Sequence, residues 1–200
     1  FTPEHLRPYS MAGLTGDGLF EFHIRLVPDG RVTGYIAHDL KVGDHLRVEL
    51  PHGDFHLREG STAPIVMLAS GTGFAPIKSM VEDGLRRGQA REIALYWGAR
   101  TEKDLYLLDL ARGWARQAGL RFVPVLSEPE AGWSGRTGFV HQAVLQDHDS
   151  LAGHQVYACG APAMVSAARS DFVETRGLPP DAFFCDAFVV AQPRTSALTD

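Results

Sequence analysis

Short apolar runs alternate with more polar segments along the chain from Pro64 onward. The run at 65–69 holds consecutive apolar residues with two β-branched members, which predicts a strand buried on both faces, as in a parallel sheet. Strands are predicted at 65–69, 92–97, 121–126, 155–159 and 183–188, and helices at about 75–87, 104–118, 137–145 and 161–176. Left-handed C-cap residues are expected at Gly88, Gly119 and Gly177. With right-handed crossovers, these elements form an α/β doubly wound five-stranded parallel sheet.

Residues 1–62 show a different pattern, in which apolar and polar positions alternate. The alternation is regular at 20–26 and 46–50 and weaker at 7–12 and 55–58, which predicts half-buried antiparallel strands. So few strands cannot close a barrel. This half is therefore expected to be incomplete on its N-terminal side, and the opening Phe1-Thr2-Pro3-Glu4 is expected for a fragment or a processed chain.

Composition excludes several classes of function. An apolar fraction of 44% and a charged fraction of 22% over 200 residues are those of a globular protein with an adequate core. A net charge of -5 without clustered lysine and arginine argues against a general nucleic-acid binder. No apolar run approaches the roughly 20 residues of a membrane-spanning helix. We therefore expect neither nucleic-acid nor membrane binding.

The cysteines and histidines of the sequence do not have the number or the spacing of metal ligands. Cys159 and Cys185 are the two cysteines, too few for a disulfide framework or for the four ligands of an iron–sulfur cluster. A reducing compartment, the cytoplasm, is therefore expected. None of the nine histidines has the spacing of a zinc site, so no metal site is predicted.

A glycine turn links the first predicted strand of the sheet to its helix. Gly71, Thr72 and Gly73 follow the strand, and Pro76 occupies an early helical position where its missing N–H costs nothing. Exposed backbone N–H groups and the helix dipole favour an anion at such a turn. Pro76 stands where the dinucleotide fingerprint has its third glycine. The turn alone is equally compatible with a nucleotide site and with an ordinary tight connection.

Other strand ends on the same edge carry residues that suit a nucleotide. Arg100 follows the second strand, Glu128 follows the third, and Cys159 and Gly160 end the fourth. In doubly wound sheets, ligands bind at the carboxyl ends of the strands. Taken singly, Arg100 is more often a solvated surface arginine and Cys159 an inert buried thiol. The second glycine–proline turn, Gly160-Ala161-Pro162, favours the nucleotide site.

Seven short motifs follow one another along the chain: Arg7-Pro8-Tyr9-Ser10, Gly30-x-x-Thr33, Pro51-x-Gly53-x-Phe55-x-Leu57, Gly71-Thr72-Gly73-x-x-Pro76, Gly98-x-Arg100, Cys159-Gly160-x-Pro162 and Phe184-Cys185-Asp186-Ala187-Phe188. In this order they resemble the motifs of the ferredoxin-NADP reductase superfamily. The sequence of the glycine turn and its helix is most similar to the branch of CDP-6-deoxy-glucoseen reductases and oxygenase reductases. The resemblance implies a partial antiparallel β-barrel at 1–62 that belongs to an FAD-binding domain, an NAD(P)-binding domain at 63–190 and a polar tail at 191–200.

The resemblance also implies roles for individual residues of the flavin half. Arg7 would pair with the FAD pyrophosphate, to which a guanidinium fork is suited. Tyr9 would lie against the isoalloxazine ring, and Ser10 would hydrogen-bond near its N5 atom. The remaining FAD contacts would come from Arg25, Val27, Gly30, Val32 and Thr33.

In the other half, the implied catalytic residues besides Ser10 are Cys159, close to nicotinamide C4, and Asp186, which would handle a proton. Phe188 would stack on the flavin until nicotinamide displaces it. Nucleotide binding would fall to Gly71, Thr72, Gly73, Pro76, Arg100, Glu128, Cys159 and Gly160. An acid at Glu128 would repel the 2′-phosphate of NADPH, which favours NADH.

The implied activity is transfer of a hydride from NAD(P)H to FAD, followed by single-electron transfer to an iron–sulfur centre or partner protein. A 2Fe-2S cluster is expected only on a missing domain or partner, since this chain lacks the ligands. Two alternatives stay open: a nucleotide-binding or regulatory module that holds no flavin, and a reductase that uses free flavin as its substrate.

Overall fold

The structure is a computed structural model that describes residues 6–14, 16, 18–88 and 90–189. The predicted polar tail at 191–200 lies outside the described residues. A single parallel sheet dominates, with the strand order β4-β3-β2-β1-β5-β6. Its strands are β1 (Ile65–Ser70), β2 (Ile93–Ala99), β3 (Arg121–Leu126), β4 (Arg136–Thr137), β5 (Gln155–Gly160) and β6 (Phe183–Ala187).

The predicted α/β architecture is confirmed, with one strand more than expected. Each of the five long strands overlaps its predicted range. The sixth, β4, pairs only two residues with β3, Arg136 with Val125 and Thr137 with Leu126. Two residues are too short for an alternation of apolar and polar positions to be recognised. The sheet is therefore six-stranded rather than five-stranded.

Five α-helices accompany the strands in the part of the chain described. They are α1 (Arg31–His38), α2 (Phe74–Arg86), α3 (Leu108–Ala118), α4 (Val140–Asp147) and α5 (Pro162–Arg176). The φ angles of Gly88, Gly119 and Gly177 are 66°, 68° and 68°, so the expected left-handed C-caps are present. No helix among the described residues is both long and apolar enough to cross a lipid bilayer.

Two of the helices begin later than predicted, at 108 instead of 104 and at 140 instead of 137. Residues Glu102–Asp104 form a separate turn, in which the Asp104 carboxylate accepts hydrogen bonds from the backbone N–H and the hydroxyl of Thr101. Gly138 has a φ of 101°, which no residue inside a right-handed helix can adopt.

The core consists of two apolar clusters, one on each face of the sheet. Trp97 and Tyr96 are successive residues of β2, so they point to opposite faces, and both are fully buried. On one face the rings of Phe74 and Trp97 stack with their centroids 3.8 Å apart. Because Phe74 is the first residue of α2, this stack fixes the start of the helix that follows the glycine turn.

The first half departs from the prediction. Within residues 6–64 as described, no strand forms, and the single bridge pairs Met11 with Phe22. The runs predicted at 20–26, 46–50, 7–12 and 55–58 therefore form no ladder in this structure, although the antiparallel bridge joins the first of them to the third. A strand requires hydrogen bonds to a neighbouring strand, and sequence alternation cannot supply that neighbour. The apolar positions of the two stronger runs are more than half exposed at Phe20, Leu26, Leu46 and Val48.

Candidate active site at the junction of the two halves

The ends of β1 and β5 are locked together by glycines. A Cβ on Gly73 would lie 2.1 Å from the carbonyl oxygen of Cys159, and one on Gly160 would lie 2.3 Å from Ser70 Oγ. Ser70 Oγ in turn accepts a hydrogen bond of 2.9 Å from the backbone N–H of Ala161. Gly73 and Gly160 are therefore required by the packing of two backbones, a role that the predicted approach of a ligand did not include.

Gly71 is the open residue of the turn. It has a φ of 53°, and a Cβ there would meet no atom within 4 Å. Its carbonyl accepts a hydrogen bond of 3.0 Å from the indole N–H of Trp97, which holds the turn against β2. Pro76 is buried inside the first turn of α2, as predicted. An open glycine next to a helix N-terminus fits an anionic group of a nucleotide.

A hydrogen bond joins the two halves at the predicted catalytic residues. Ser10 Oγ donates to Asp186 Oδ2 over 3.1 Å, although the residues lie 176 positions apart in the sequence. Asp186 is directly opposite Cys159 in the pairing of β6 with β5. The three residues predicted to be catalytic thus occupy one place, where the flavin motif contacts the carboxyl edge of the sheet.

Cys159 lies beneath this edge and Phe188 beside it. The thiol is fully buried in the apolar cluster that contains Phe74 and Trp97, and Phe188 packs against that cluster. The backbone N–H of Phe188 donates to the carbonyl of Gly160 over 2.8 Å. Burial, together with the nearby Asp186 carboxylate, raises the pKa of the Cys159 thiol well above its ordinary range. Cys159 is therefore a neutral thiol at physiological pH and not a thiolate.

The predicted residues at the other strand ends also meet. The backbone N–H of Glu128 donates to the carbonyl of Arg100 over 2.9 Å, and that of Ser127 donates to the carbonyl of Ala99 over 3.0 Å. Both Arg100 and Glu128 are exposed. A cation and an acid thus stand side by side at the carboxyl ends of β2 and β3.

On the flavin side, three of the predicted residues form one turn at the start of α1. The backbone N–H of Gly30 donates to the carbonyl of Val27 over 2.9 Å. Thr33 Oγ1 accepts from the Val27 N–H over 3.2 Å and donates to the Gly30 carbonyl over 3.3 Å. No side chain caps α1, and its first turn carries no acid. Uncapped N–H groups at the start of this helix fit a phosphate of FAD.

The remaining flavin residues are only partly covered. Tyr9 and Val32 are half-buried, whereas Arg7 and Arg25 are exposed. Burial raises the pKa of the Tyr9 phenol, and the positive charge of Arg7 offsets part of that effect. The assignment of Arg7 and Tyr9 to FAD stays a prediction.

One group of contacting residues was not predicted. Lys78 on α2 reaches back to the flavin half, where it contacts Glu21 and the carbonyl of Ala12. A lysine between Ile77 and Ser79 on a largely apolar helix face, with Glu82 one turn later, is the only signal of this contact in the sequence.

Fold and site together fit a pair of domains, one for FAD and one for a nicotinamide nucleotide. The chain belongs to the oxidoreductase NAD-binding domain family, whose model matches residues 67–170. The oxidoreductase FAD-binding domain model matches residues 2–57. The family assignment made from the sequence motifs is thereby confirmed, as a ferredoxin reductase-like pair of domains.

Individual relatives agree with this assignment. The chain is 45% identical over 185 residues to the CDP-6-deoxy-L-threo-D-glycero-4-hexulose-3-dehydrase reductase of Yersinia pestis, covering 92% of this chain and 55% of that protein. It is 42% identical over 192 residues to the ferredoxin--NAD(P)(+) reductase component of naphthalene 1,2-dioxygenase/salicylate 5-hydroxylase systems from a Ralstonia species, covering 94% and 57%. The chain therefore spans about half the length of these relatives.

The crystal structure of the Amycolatopsis cytochrome P450 reductase GcoB superposes with a TM-score of 0.83 at 36% identity. The match covers 90% of this chain and 55% of that one.

Proposed function

We propose that this chain is the FAD- and NAD(P)H-binding part of a reductase that takes electrons from NAD(P)H and passes them one at a time to an iron–sulfur centre. The observation that carries the proposal is the 3.1 Å hydrogen bond between Ser10 and Asp186, which joins the flavin motif to the nucleotide edge. The relatives named for reduction of a ferredoxin and of a dehydrase support the type of acceptor. Bound FAD supplies the step between two-electron and one-electron chemistry.

The residues of the chain would position the cofactors and handle a proton. Because Ser10 donates to the Asp186 carboxylate, a proton that leaves the flavin ring would pass through the Ser10 hydroxyl to that carboxylate. Cys159, which is uncharged and buried, would lie beneath the nicotinamide. Phe188, held by the carbonyl of Gly160, would exclude water from the ring until the nucleotide arrives.

The phosphates would be held at two helix starts. We assign Gly71, Thr72, Gly73 and Pro76 to NAD(P)H. Gly30, Val27, Val32 and Thr33, with Arg7, Tyr9 and Arg25, are assigned to FAD. The open space over Gly71 and the uncapped start of α1 support the two assignments. We place the domain boundary near residues 59–64, between the two family matches, and the protein in the cytoplasm, where both free cysteines would stay reduced.

The test is a visible absorption spectrum of the full-length natural protein, followed by an anaerobic titration with NADH. We expect flavin bands and additional iron–sulfur absorption, both bleached by NADH. A colourless protein, or flavin that NADH does not bleach, would contradict the proposal. Flavin that is lost on gel filtration and reduced only when added back would identify a free-flavin reductase instead.

Cofactor choice follows from the charge of Glu128 beside Arg100. NADPH carries a 2′-phosphate, which an exposed carboxylate repels and an arginine attracts. We expect Glu128→Arg to shift the ratio of kcat/KM values from NADH toward NADPH by at least about tenfold. Asp149→Arg makes the same change of charge at an exposed acid on the opposite edge of the sheet. The prediction fails if both variants shift the ratio equally.

A further inference from the structure

Lys78 is a buried lysine whose three N–H donors all have acceptors. Its side chain is on α2, and the residue is 8% exposed. Nζ donates to Glu21 Oε2 and Glu82 Oε2, each over 2.9 Å, and to the carbonyl of Ala12 over 3.2 Å. Burial acts to lower the pKa of Lys78, but the hydrogen bonds to Glu82 and Glu21 outweigh it and raise that pKa. The lysine therefore keeps its charge while it bridges two halves of the chain.

The two acceptors of Lys78 in the flavin half, Ala12 and Glu21, are also hydrogen-bonded to each other. The backbone N–H of Ala12 donates to the carbonyl of Glu21 over 2.8 Å, and Ala12 is fully buried. Next to Lys78, Ser79 Oγ donates to the carbonyl of Gly13 over 2.8 Å. Two successive residues of α2 thus hold two successive carbonyls of the flavin half.

Glu21 extends the contact to a second element of the nucleotide half. Its other carboxylate oxygen, Oε1, accepts a hydrogen bond of 2.9 Å from Nε2 of His23. Nδ1 of His23 lies 2.7 Å from the hydroxyl oxygen of Tyr106, whose ring packs edge-on against Trp97. A continuous chain of polar contacts therefore runs from α2 through the flavin half to the loop that follows β2.

Lys78 connects both binding sites to the same helix, α2. Gly73, at the end of the glycine turn, precedes Lys78 by five residues, which is about 7.5 Å along a helix. Ser10 precedes Ala12 by two residues, at most about 7 Å of extended chain. The helix whose start borders the nucleotide site therefore also holds the segment that carries the flavin motif.

We propose that Lys78, paired with Glu21, is a positioning residue that sets the approach of the nicotinamide to the flavin. The proposal rests on the proposed function, because it concerns the geometry between those two rings. The rate of hydride transfer between stacked rings falls steeply with distance, and a misplacement of about 1 Å can lower the rate by up to about a hundredfold. Lys78 contacts neither ring and acts by fixing Ser10 relative to the glycine turn.

The experiment compares Lys78→Met with Lys41→Met in the full-length natural protein. Lys41 is an exposed lysine of the flavin half and serves as the control. Hydrogen–deuterium exchange reports whether the contact holds the segment. We expect exchange at residues 10–13 and 20–23 to rise at least about tenfold in Lys78→Met, while β1 is unchanged. Anaerobic stopped-flow should then show a limiting rate of flavin reduction at least about tenfold lower, with FAD content and the Kd for NADH within about twofold.

Glu21→Gln keeps an oxygen acceptor for Lys78 but removes the negative charge. If Lys78→Met loses FAD, the same two measurements are made on Glu21→Gln. We expect smaller changes of the same kind, about threefold in exchange and in rate. Unchanged exchange in the variants that keep FAD, or faster exchange with a rate within about twofold of wild type, would overturn the proposal. If NADH does not reduce the flavin of the wild-type protein, the proposed function has failed, whereas the exchange result still reports on the contact itself.

Discussion

Burial gives the two cysteines different chemistry although they are on adjacent strands. Cys159 is fully buried on β5, and its raised pKa keeps the thiol protonated. Cys185 is exposed on β6. Only a thiolate is an effective nucleophile, so Cys159 is unsuited to covalent catalysis. Its suggested place near nicotinamide C4 is compatible with a role in shape and polarity alone.

Alkylation with iodoacetamide under native conditions tests this difference between the thiols. We expect peptide mass spectrometry to find Cys185 modified and Cys159 untouched, whereas both react in denaturant. Cys185→Ser should abolish the native modification within this chain. Rapid native modification of Cys159 would mean that the thiol is open to solvent or ionised.

At the scale of elements, the glycine turn illustrates how backbone packing builds the site. Gly73 directly precedes α2 and lies against the end of β5, where a Cβ would meet the carbonyl of Cys159 at 2.1 Å. Gly113, inside α3, has no atom within 4 Å of the position of a Cβ. The two positions therefore form a matched pair for the same substitution.

We expect Gly73→Ala to lower the free energy of unfolding by at least about 3 kcal/mol, because a backbone carbonyl cannot move aside without separating β1 from β5. Gly113→Ala should raise it by roughly 0.5–1 kcal/mol, since alanine favours the helix. Denaturant unfolding measures both values. Equal effects of the two substitutions would show that the close contact at Gly73 does not exist in solution.

The elements of the second half could be predicted because each long strand contains a largely apolar run that is followed by a glycine or a polar residue. The strands expected at 20–26 and 46–50 could not be judged in the same way, because alternation shows which face is apolar but not whether a neighbouring strand is present. The pattern of apolar and polar positions does not predict helix α1, since Gly34 and β-branched residues disfavour a helix locally.

The candidate site was predictable only where motifs carried it. Ser10 and Asp186 could be named from their motifs, but their contact over 176 positions could not be inferred from spacing. Glu21 belongs to no motif that we recognised, and Lys78 lies in the helix that carries the resemblance, which implied no role for it. Their pairing depends on tertiary structure, in which a helix and a distant segment enclose the same small volume.

Across the whole molecule, the two halves meet through specific polar contacts toward both ends of the strands of the sheet. Near the carboxyl edge these are Ser10 with Asp186 and Lys78 with Glu21. Near the amino edge, the backbone N–H of Arg58 donates to the hydroxyl of Tyr157 over 2.9 Å. Contacts at both edges fix the orientation of the flavin motif, which transfer between two stacked rings requires.

The central claim is that Ser10 and Asp186 act together where the two halves meet. It is tested most directly by a double-mutant cycle on the limiting rate of flavin reduction by NADH, measured anaerobically in the full-length protein. We expect Ser10→Ala and Asp186→Asn each to lower this rate by about a hundredfold, and the double variant to be no slower than the slower single variant, because residues that act as a unit are not additive. Effects that multiply, or single variants that reduce flavin at the wild-type rate, would contradict the account.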